Sequence, residues 1–196
     1  MGNVIATAAV SLDGFVADLE DQVGPLFDWY NNGPVEVYGT DPDRAFHVSQ
    51  ASADYLRSTW PNVRANVVGR HLFDITNGWN GVPPVGEHVF VVTHKPPTDW
   101  PFPDAPFTFV DNLEDAVAQA RAYAGDADVS LTGGNLTGQA VAAGLVDEIA
   151  YNLVPILLGT GKKFFGDYVG PEILLDNPRV VEGDRVTHLH YRVSKG

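Results

Sequence analysis

Short apolar runs alternate with polar, helix-like stretches along most of this chain. Asn3 to Val10 is rich in alanine and β-branched residues, and Asp13 and Gly14 then supply a turn, so the pattern predicts a first strand ending there. Asp18 to Asp43 holds several glycines and prolines around Phe27, Trp29 and Tyr30, which reads as a short aromatic helix inside a long loop. Ala45 to Thr59 reads as a helix with Phe46, Ala53 and Leu56 on its apolar side, closed by Pro61. Asn66 to Val68 predicts a buried strand that opens into a helix at Gly69, Arg70 and His71. Strands are also predicted at His88 to Thr93, stopped by Pro96 and Pro97, and at Phe107 to Val110.

The best-defined helix follows. Asn112 can cap it, Glu114 and Asp115 fill its first turn, Leu113, Val117 and Ala120 share one face, and Arg121 and Gly125 stand where it should end. Val129 to Thr132 is a strand that runs into Gly133, Gly134 and Asn135. Leu136 to Ala143 is then helical up to Gly144, and Glu148 to Val154 is a strand ended by Pro155. Val180 and Val181, with Val186 to Val193, predict an antiparallel hairpin at a sheet edge, turning at Gly183 and Asp184. Repeated strand and helix alternation implies an α/β sheet with helices on both faces. No repeat or linker divides residues 1–196, which read as one domain.

Composition narrows the functional classes. With 196 residues, 44% of them hydrophobic, the chain can bury one sizeable core. A formal charge of −13 argues against nucleic-acid or anionic-membrane surfaces, so an anionic small ligand needs a local cationic pocket. No apolar run reaches the roughly 20 residues of a membrane span, and Met1 to Val10 lacks a basic flank and a cleavage site, which reads as cytoplasmic. Cysteine is absent, which removes thiolate metal sites, Cys nucleophiles and disulfides, and leaves redox chemistry to a bound organic cofactor.

The residues that could carry chemistry lie where strands end. At Gly69, Arg70 and His71 a helix begins with cationic residues, and Thr93, His94 and Lys95 offer a hydroxyl and two basic groups at another strand end. Such groups suit a phosphate monoester such as the 2′-phosphate of NADPH, because arginine gives a planar fork of donors; the bland alternative is a helix that merely starts with arginine. Gly133 and Gly134 would let a pyrophosphate approach backbone, though a left-handed turn uses such a pair as well. No G-x-G-x-x-G follows the first strand, and Ile156 stands where a Walker loop at 156–163 needs its first glycine. Ser11, His47 and Asp54 make no recognisable triad, and no G-x-S-x-G elbow exists. His188 and His190 share one side of a strand with Val186 and Arg192 but lack a third metal ligand, so they read as surface histidines and no metal site is assigned. Phe27, Trp29, Tyr30 and Trp79 could stack on a planar ring, but packing beneath a loop is the commoner use.

Taken in order, Ser11-Leu12-Asp13-Gly14-Phe15, Gly69 to Asp74, Val91 to Pro96, Gly133 to Thr137, and Gly144 to Glu148 through Pro155, Leu158, Gly159 and Gly161 resemble the dihydrofolate reductase-like superfamily. More narrowly, the chain from Asn3 to Val193 resembles stand-alone relatives of the RibD C-terminal domain, the reductase of riboflavin biosynthesis. The resemblance implies a three-layer α/β/α sandwich with a mixed, mainly parallel sheet of about eight strands, NADPH as hydride donor, and a homodimer. By position it implies that Gly69, Arg70 and His71, with Thr93 and His94, form the adenosine-phosphate site. Gly133, Gly134, Asn135, Leu136 and Thr137 would form the pyrophosphate turn, and Ala9, Val16 and Ala17 a wall of the nicotinamide pocket. Asn152 falls on the strand beside pterin and nicotinamide in folate reductases, as a substrate contact, and Asp13 is the side chain placed to donate a proton, with ordered water as its rival. Leu131 and Thr132 replace the glutamate-containing pattern of the pathway enzymes, and the acidic residue that folate reductases carry on their first long helix has no counterpart between Phe46 and Asp54. These readings imply an NADPH-dependent reductase of a small heterocycle, with a dinucleotide-binding protein without turnover or a pterin reductase as alternatives.

Overall fold

The computed structural model describes residues 2–194. Its strands are β1 (Val4–Ser11), β2 (Phe15–Ala17), β3 (Val35–Tyr38), β4 (Ala45–Val48), β5 (Val63–Gly69), β6 (His88–Val92), β7 (Phe107–Val110), β8 (Asp128–Thr132), β9 (Glu148–Val154), β10 (Lys162–Lys163), β11 (Arg179–Glu182) and β12 (Thr187–Arg192). The helices are α1 (Gln50–Thr59), α2 (Arg70–Ile75), α3 (Leu113–Ala124) and α4 (Gly134–Ala142). Eight strands form one sheet in the order β11-β12-β9-β1-β8-β5-β6-β7. From β9 to β7 all neighbours are parallel, and β12 and β11 add an antiparallel edge.

Parallel strands must bury both faces, which is why β1 and β5 read as near-continuous apolar runs rather than alternating ones. Val67 and Val68 show the consequence. Val67 joins Val4, Ala6, Val129 and Leu131 in a cluster closed by Ala116, Val117 and Ala120 of α3 and Val141 of α4. Val68 faces the other way, with Val89 and Val91 against Phe73 of α2. On that second face Ala9 and Val154 pack with Ala53, Tyr55 and Leu56 of α1. Helices therefore cover both faces, α3 and α4 on one and α1 and α2 on the other.

Local chemistry explains most boundaries. Asn112 accepts the Asp115 N–H at 2.9 Å and starts α3, while Gly125, at φ 66°, ends it. The segment predicted as one helix from Ala45 to Thr59 divides instead. Ser49 adopts an extended conformation and accepts the Ser52 N–H, so α1 cannot continue backwards, and Ala45–Val48 pairs with β3 as a strand. The short strands β2, β3 and β10 carry little periodicity of their own and exist through their partners, β2 with β10 and β3 with β4.

The aromatic segment forms a 3₁₀ helix over Gly24–Tyr30. Trp29 is 1% exposed and stacks on Tyr30 at 3.8 Å between ring centroids, and Trp79 packs against the Phe73 cluster, so these two rings serve packing. Among the described residues no helix is long and apolar enough to cross a membrane.

Leu131 is fully buried at the centre of the sheet. Leu131→Ala should lower unfolding free energy by roughly 2–5 kcal/mol, through lost burial and the cavity left behind, measured by urea unfolding.

Candidate functional site

Every parallel strand ends at the same edge of the sheet, and the chain leaves neighbouring strands there in opposite directions. After β1 and β5 it passes to the face of α1 and α2; after β8, which lies between them, it passes to the face of α4. A crevice beyond the carboxyl ends of β1, β8 and β5 follows from this divergence, as in other open α/β sheets. Of the candidate cofactor, substrate and proton-donor residues, Ala9, Gly69 and Asn152 are positions of the main sheet, and the others lie on the connections that leave this edge.

At the end of β1, Asp13 acts as a clamp. One carboxylate oxygen accepts the Ser11 hydroxyl at 2.6 Å and the Leu158 N–H at 3.1 Å, and the other accepts the Gly159 N–H at 2.7 Å. The Ser11 hydroxyl, followed by the two backbone donors, holds this carboxyl below its ordinary value of 3.8. Asp13 is thus a fully engaged acceptor that ties the turn after β1 to the loop after β9. Beyond it, Gly161 lies against Ala17, where a Cβ would come within 2.2 Å of the Ala17 carbonyl oxygen. That contact seats β2 on β10 and fixes Val16 and Ala17 beside the crevice. Ala9 is buried on the α1 face of β1.

At the ends of β5 and β6, Arg70, His71 and His94 each have a carboxylate partner. Arg70 donates from Nε to Asp74 at 2.7 Å and from a terminal nitrogen to the Lys95 carbonyl oxygen, which aims its guanidinium and leaves part of the fork unused. His71 meets Asp21 at 2.8 Å, and Lys162 contacts both Asp21 and His71. Lys162 and then His71 pull the Asp21 carboxyl below its ordinary range. His94 pairs with Asp111 at 2.7 Å in an exposed position, and the Thr93 hydroxyl accepts the Lys95 N–H at 3.2 Å. Space is open beside Gly69, where a Cβ would meet no atom within 4 Å. A shallow cleft of about 330 Å³, lined by Arg70, Asp74, Thr98 and Trp100 among others, runs along α2.

After β8, Gly133 has φ 141°, a conformation that side chains resist, and α4 begins at Gly134 with no side-chain cap. Its first N–H groups are therefore left for another acceptor. Two side chains of this turn are taken up by the protein itself. Thr137 is completely buried, its hydroxyl without a partner among the described residues, and Asn135 turns its oxygen to the Asp167 N–H at 3.3 Å. Close packing of Gly134 and Gly138 on the backbone of residues 163–165 imposes this rotation. The turn offers backbone to a ligand, while these two side chains serve the protein.

On the α1 face, Asn152 is 7% exposed and pairs in register with Ala9. It also corrects the reading of the histidines as surface residues. His188 is fully buried; Nδ1 meets Asn152 Oδ1 at 2.7 Å and Nε2 meets Ser52 Oγ at 3.0 Å. Burial lowers its pKa to about 4. His190 is largely buried and bonds Glu148 at 2.6 Å. The register of β12 against β9 places both histidines over neighbours that only the fold brings near. Ser52 beside His188, and Lys162 and Asp21 beside His71, are marked by no motif. Among the described residues no three His, Cys, Asp or Glu side chains cluster to hold a metal ion.

The free first turn of α4, the glycine before it, the open space beside Gly69 and the aimed Arg70 together fit a phosphorylated dinucleotide along this edge. The fold is dihydrofolate reductase-like. The chain matches the RibD C-terminal domain over residues 3–181 and belongs to that family. No curated protein matches it in sequence.

Among solved structures it is similar to a protein assigned to riboflavin biosynthesis from Shewanella sp. PV-4, with a TM-score of 0.72, 24% identity and full coverage of both chains. It is also similar to a diaminohydroxyphosphoribosylaminopyrimidine deaminase/5-amino-6-(5-phosphoribosylamino)uracil reductase from Thermotoga maritima, with a TM-score of 0.63 and 14% identity over 98% of this chain and 57% of that one. Dihydrofolate reductase from Enterococcus faecalis, complexed with NADP(H) and RAB-propyl, has a TM-score of 0.58 and 14% identity, covering 99% of this chain and 98% of that one. At these identities the likeness shows the fold.

The folded pKa of Asp13 lies below 3.8, so its clamp is fully present above that pH and is lost as pH falls through the lower folded value. Hydrogen exchange should find the Leu158 and Gly159 amides protected in the wild type at neutral pH and deprotected in Asp13→Ala. Unchanged protection in the variant would remove the clamp.

Proposed function

We propose that the chain is an NADPH-dependent reductase of a small heterocyclic substrate, resembling 5-amino-6-(5-phosphoribosylamino)uracil reductase. The observation that carries this reading is the convergence, at one edge of a RibD C-terminal-type fold, of an uncapped helix start behind Gly133 with the oriented Arg70. In this reading the pyrophosphate lies on the N–H groups at the start of α4, and Arg70 with His71, Thr93 and His94 holds the phosphorylated adenosine end. Ala9, Val16 and Ala17 wall the nicotinamide pocket, where small side chains allow close approach of a flat ring.

When bound, NADPH would supply a hydride to the substrate. What the chain contributes in this reading is alignment and exclusion of water. Asp13, held ionised by three donors, is poorly suited to donate a proton and instead keeps the loops after β1 and β9 together. Water is the proton source in this reading.

The test has two arms. Fluorescence titration should give tighter binding of NADPH than of NADH, and NADPH should be consumed with 5-amino-6-(5-phosphoribosylamino)uracil. Arg70→Ala should weaken NADPH about tenfold or more and NADH much less, because only the former offers the 2′-phosphate to the guanidinium. Equal loss for both would remove Arg70 from the phosphate site. Tight binding with no turnover of any pyrimidine or pterin would favour a dinucleotide-binding protein.

A further inference from the structure

A directional chain of hydrogen bonds runs from α1 through β12 and β9 to β1. Its polarity is settled by backbone groups at the two ends. At one end the Ala8 carbonyl can only accept, so Asn152 donates to it from Nδ2, at 3.2 Å. Asn152 Oδ1 must then be the acceptor of the 2.7 Å contact, which makes His188 Nδ1 the donor. His188 Nε2 is left to accept from the Ser52 hydroxyl at 3.0 Å, and Ser52 Oγ accepts from Ser49 Oγ at 3.2 Å. At the other end Ser49 Oγ accepts the backbone N–H groups of Ser52 and Asp184, each at 3.3 Å. Every link has one permitted direction.

The packing keeps it so. The imidazole stacks on Tyr55 with centroids 4.2 Å apart and planes 14° apart, and Trp29 meets its edge at 5.2 Å. Protonating Nε2 would reverse the Ser52 bond and place a charge inside this aromatic slot, where, among the described residues, no carboxylate bonds the ring. Of the charged groups nearby, Arg179 of β11 lies over Tyr55, and Glu148 of β9 is taken by His190. With Oδ1 engaged by His188 and one Nδ2 proton on Ala8, Asn152 has one strong donor left, its second Nδ2 proton.

We propose that His188 is a positioning residue: it locks the Asn152 amide so that the crevice meets an N–H donor and not the amide oxygen. The lock selects substrates presenting an acceptor at this point, such as the ring carbonyl of a pyrimidine. This rests on the proposed function, in which Ala9, the register partner of Asn152, walls the nicotinamide pocket. It deepens that reading by naming the polarity of the ligand edge, and it brings in Ser52 and His188, which sequence position alone left outside the site.

The experiment uses the full chain labelled with ¹⁵N, and uracil as the probe. Long-range ¹H–¹⁵N spectra should show His188 as the neutral Nδ1–H tautomer from about pH 5.5 to about pH 8. An Nε2–H tautomer, or titration near the ordinary 6.5, overturns the proposal. Saturating uracil should shift the Asn152 side-chain amide signals in the wild type and in His188→Asn, which keeps a donor toward Oδ1. The shift should be lost in His188→Leu and in Asn152→Asp, where the amide is free to flip or absent. Uracil affinity should fall about tenfold in these two variants, as for a lost hydrogen bond in a closed site, with NADPH affinity unchanged. Ser52→Ala, the gentler substitution, should release the tautomer and weaken uracil in the same direction. No shift in the wild type, or equal uracil affinity in His188→Leu, overturns the proposal. Absence of NADPH turnover with uracil shifts intact would instead strike the catalytic reading and leave the lock standing.

Discussion

The parallel insertion of β8 between β1 and β5 constrains everything else in this molecule. Right-handed crossovers from β1 and β5 run over one face, and those into and out of β8 run over the other, so the chain parts at the carboxyl edge of the three central strands. Groups that must meet a ligand can come only from the loops at that edge or from the rim of the strands themselves. Asp13, Arg70, His71, Gly133 and Asn135 are far apart along the chain and share the edge for this reason.

Electrostatics at the edge follow from a second constraint. The chain carries a net charge of −13, and Arg70, His71 and His94 each lie against a carboxylate. The pairing does more than neutralise. Asp74 and the Lys95 carbonyl orient the Arg70 fork, and Asp21 draws the loop after β2 toward α2 and β10. Partly exposed pairs of this kind contribute little to stability. Their consequence is geometric, since they hold these donors in fixed positions.

The chain from Ser49 to Ala8 works by the opposite physics. There the groups are neutral, buried and hydrogen-bonded in series, so their cost of desolvation is offset by hydrogen bonds rather than by charge, with one Asn152 Nδ2 proton left over. A neutral imidazole is well suited to this position, because it donates on one side and accepts on the other while stacking on Tyr55.

Much of this was legible from sequence. The parallel strands announced themselves as apolar runs, Asn112 and Gly125 bounded α3, and the order of the glycine turns identified the superfamily, because local hydrogen-bonding needs and backbone freedom are written in single residues. Tertiary structure decided the rest. Ala45–Val48 became a strand because β3 was there to pair with it, Thr137 and Asn135 turned away because α4 packs on the backbone of residues 163–165, and His188 was buried because β12 lies antiparallel to β9 beneath Trp29 and Tyr55. Periodicity reports which face of an element is apolar. What covers that face, and whether a polar side chain on it finds a partner, depends on residues remote in sequence, and only folding brings Ser52, Asn152 and His188 within reach of one another.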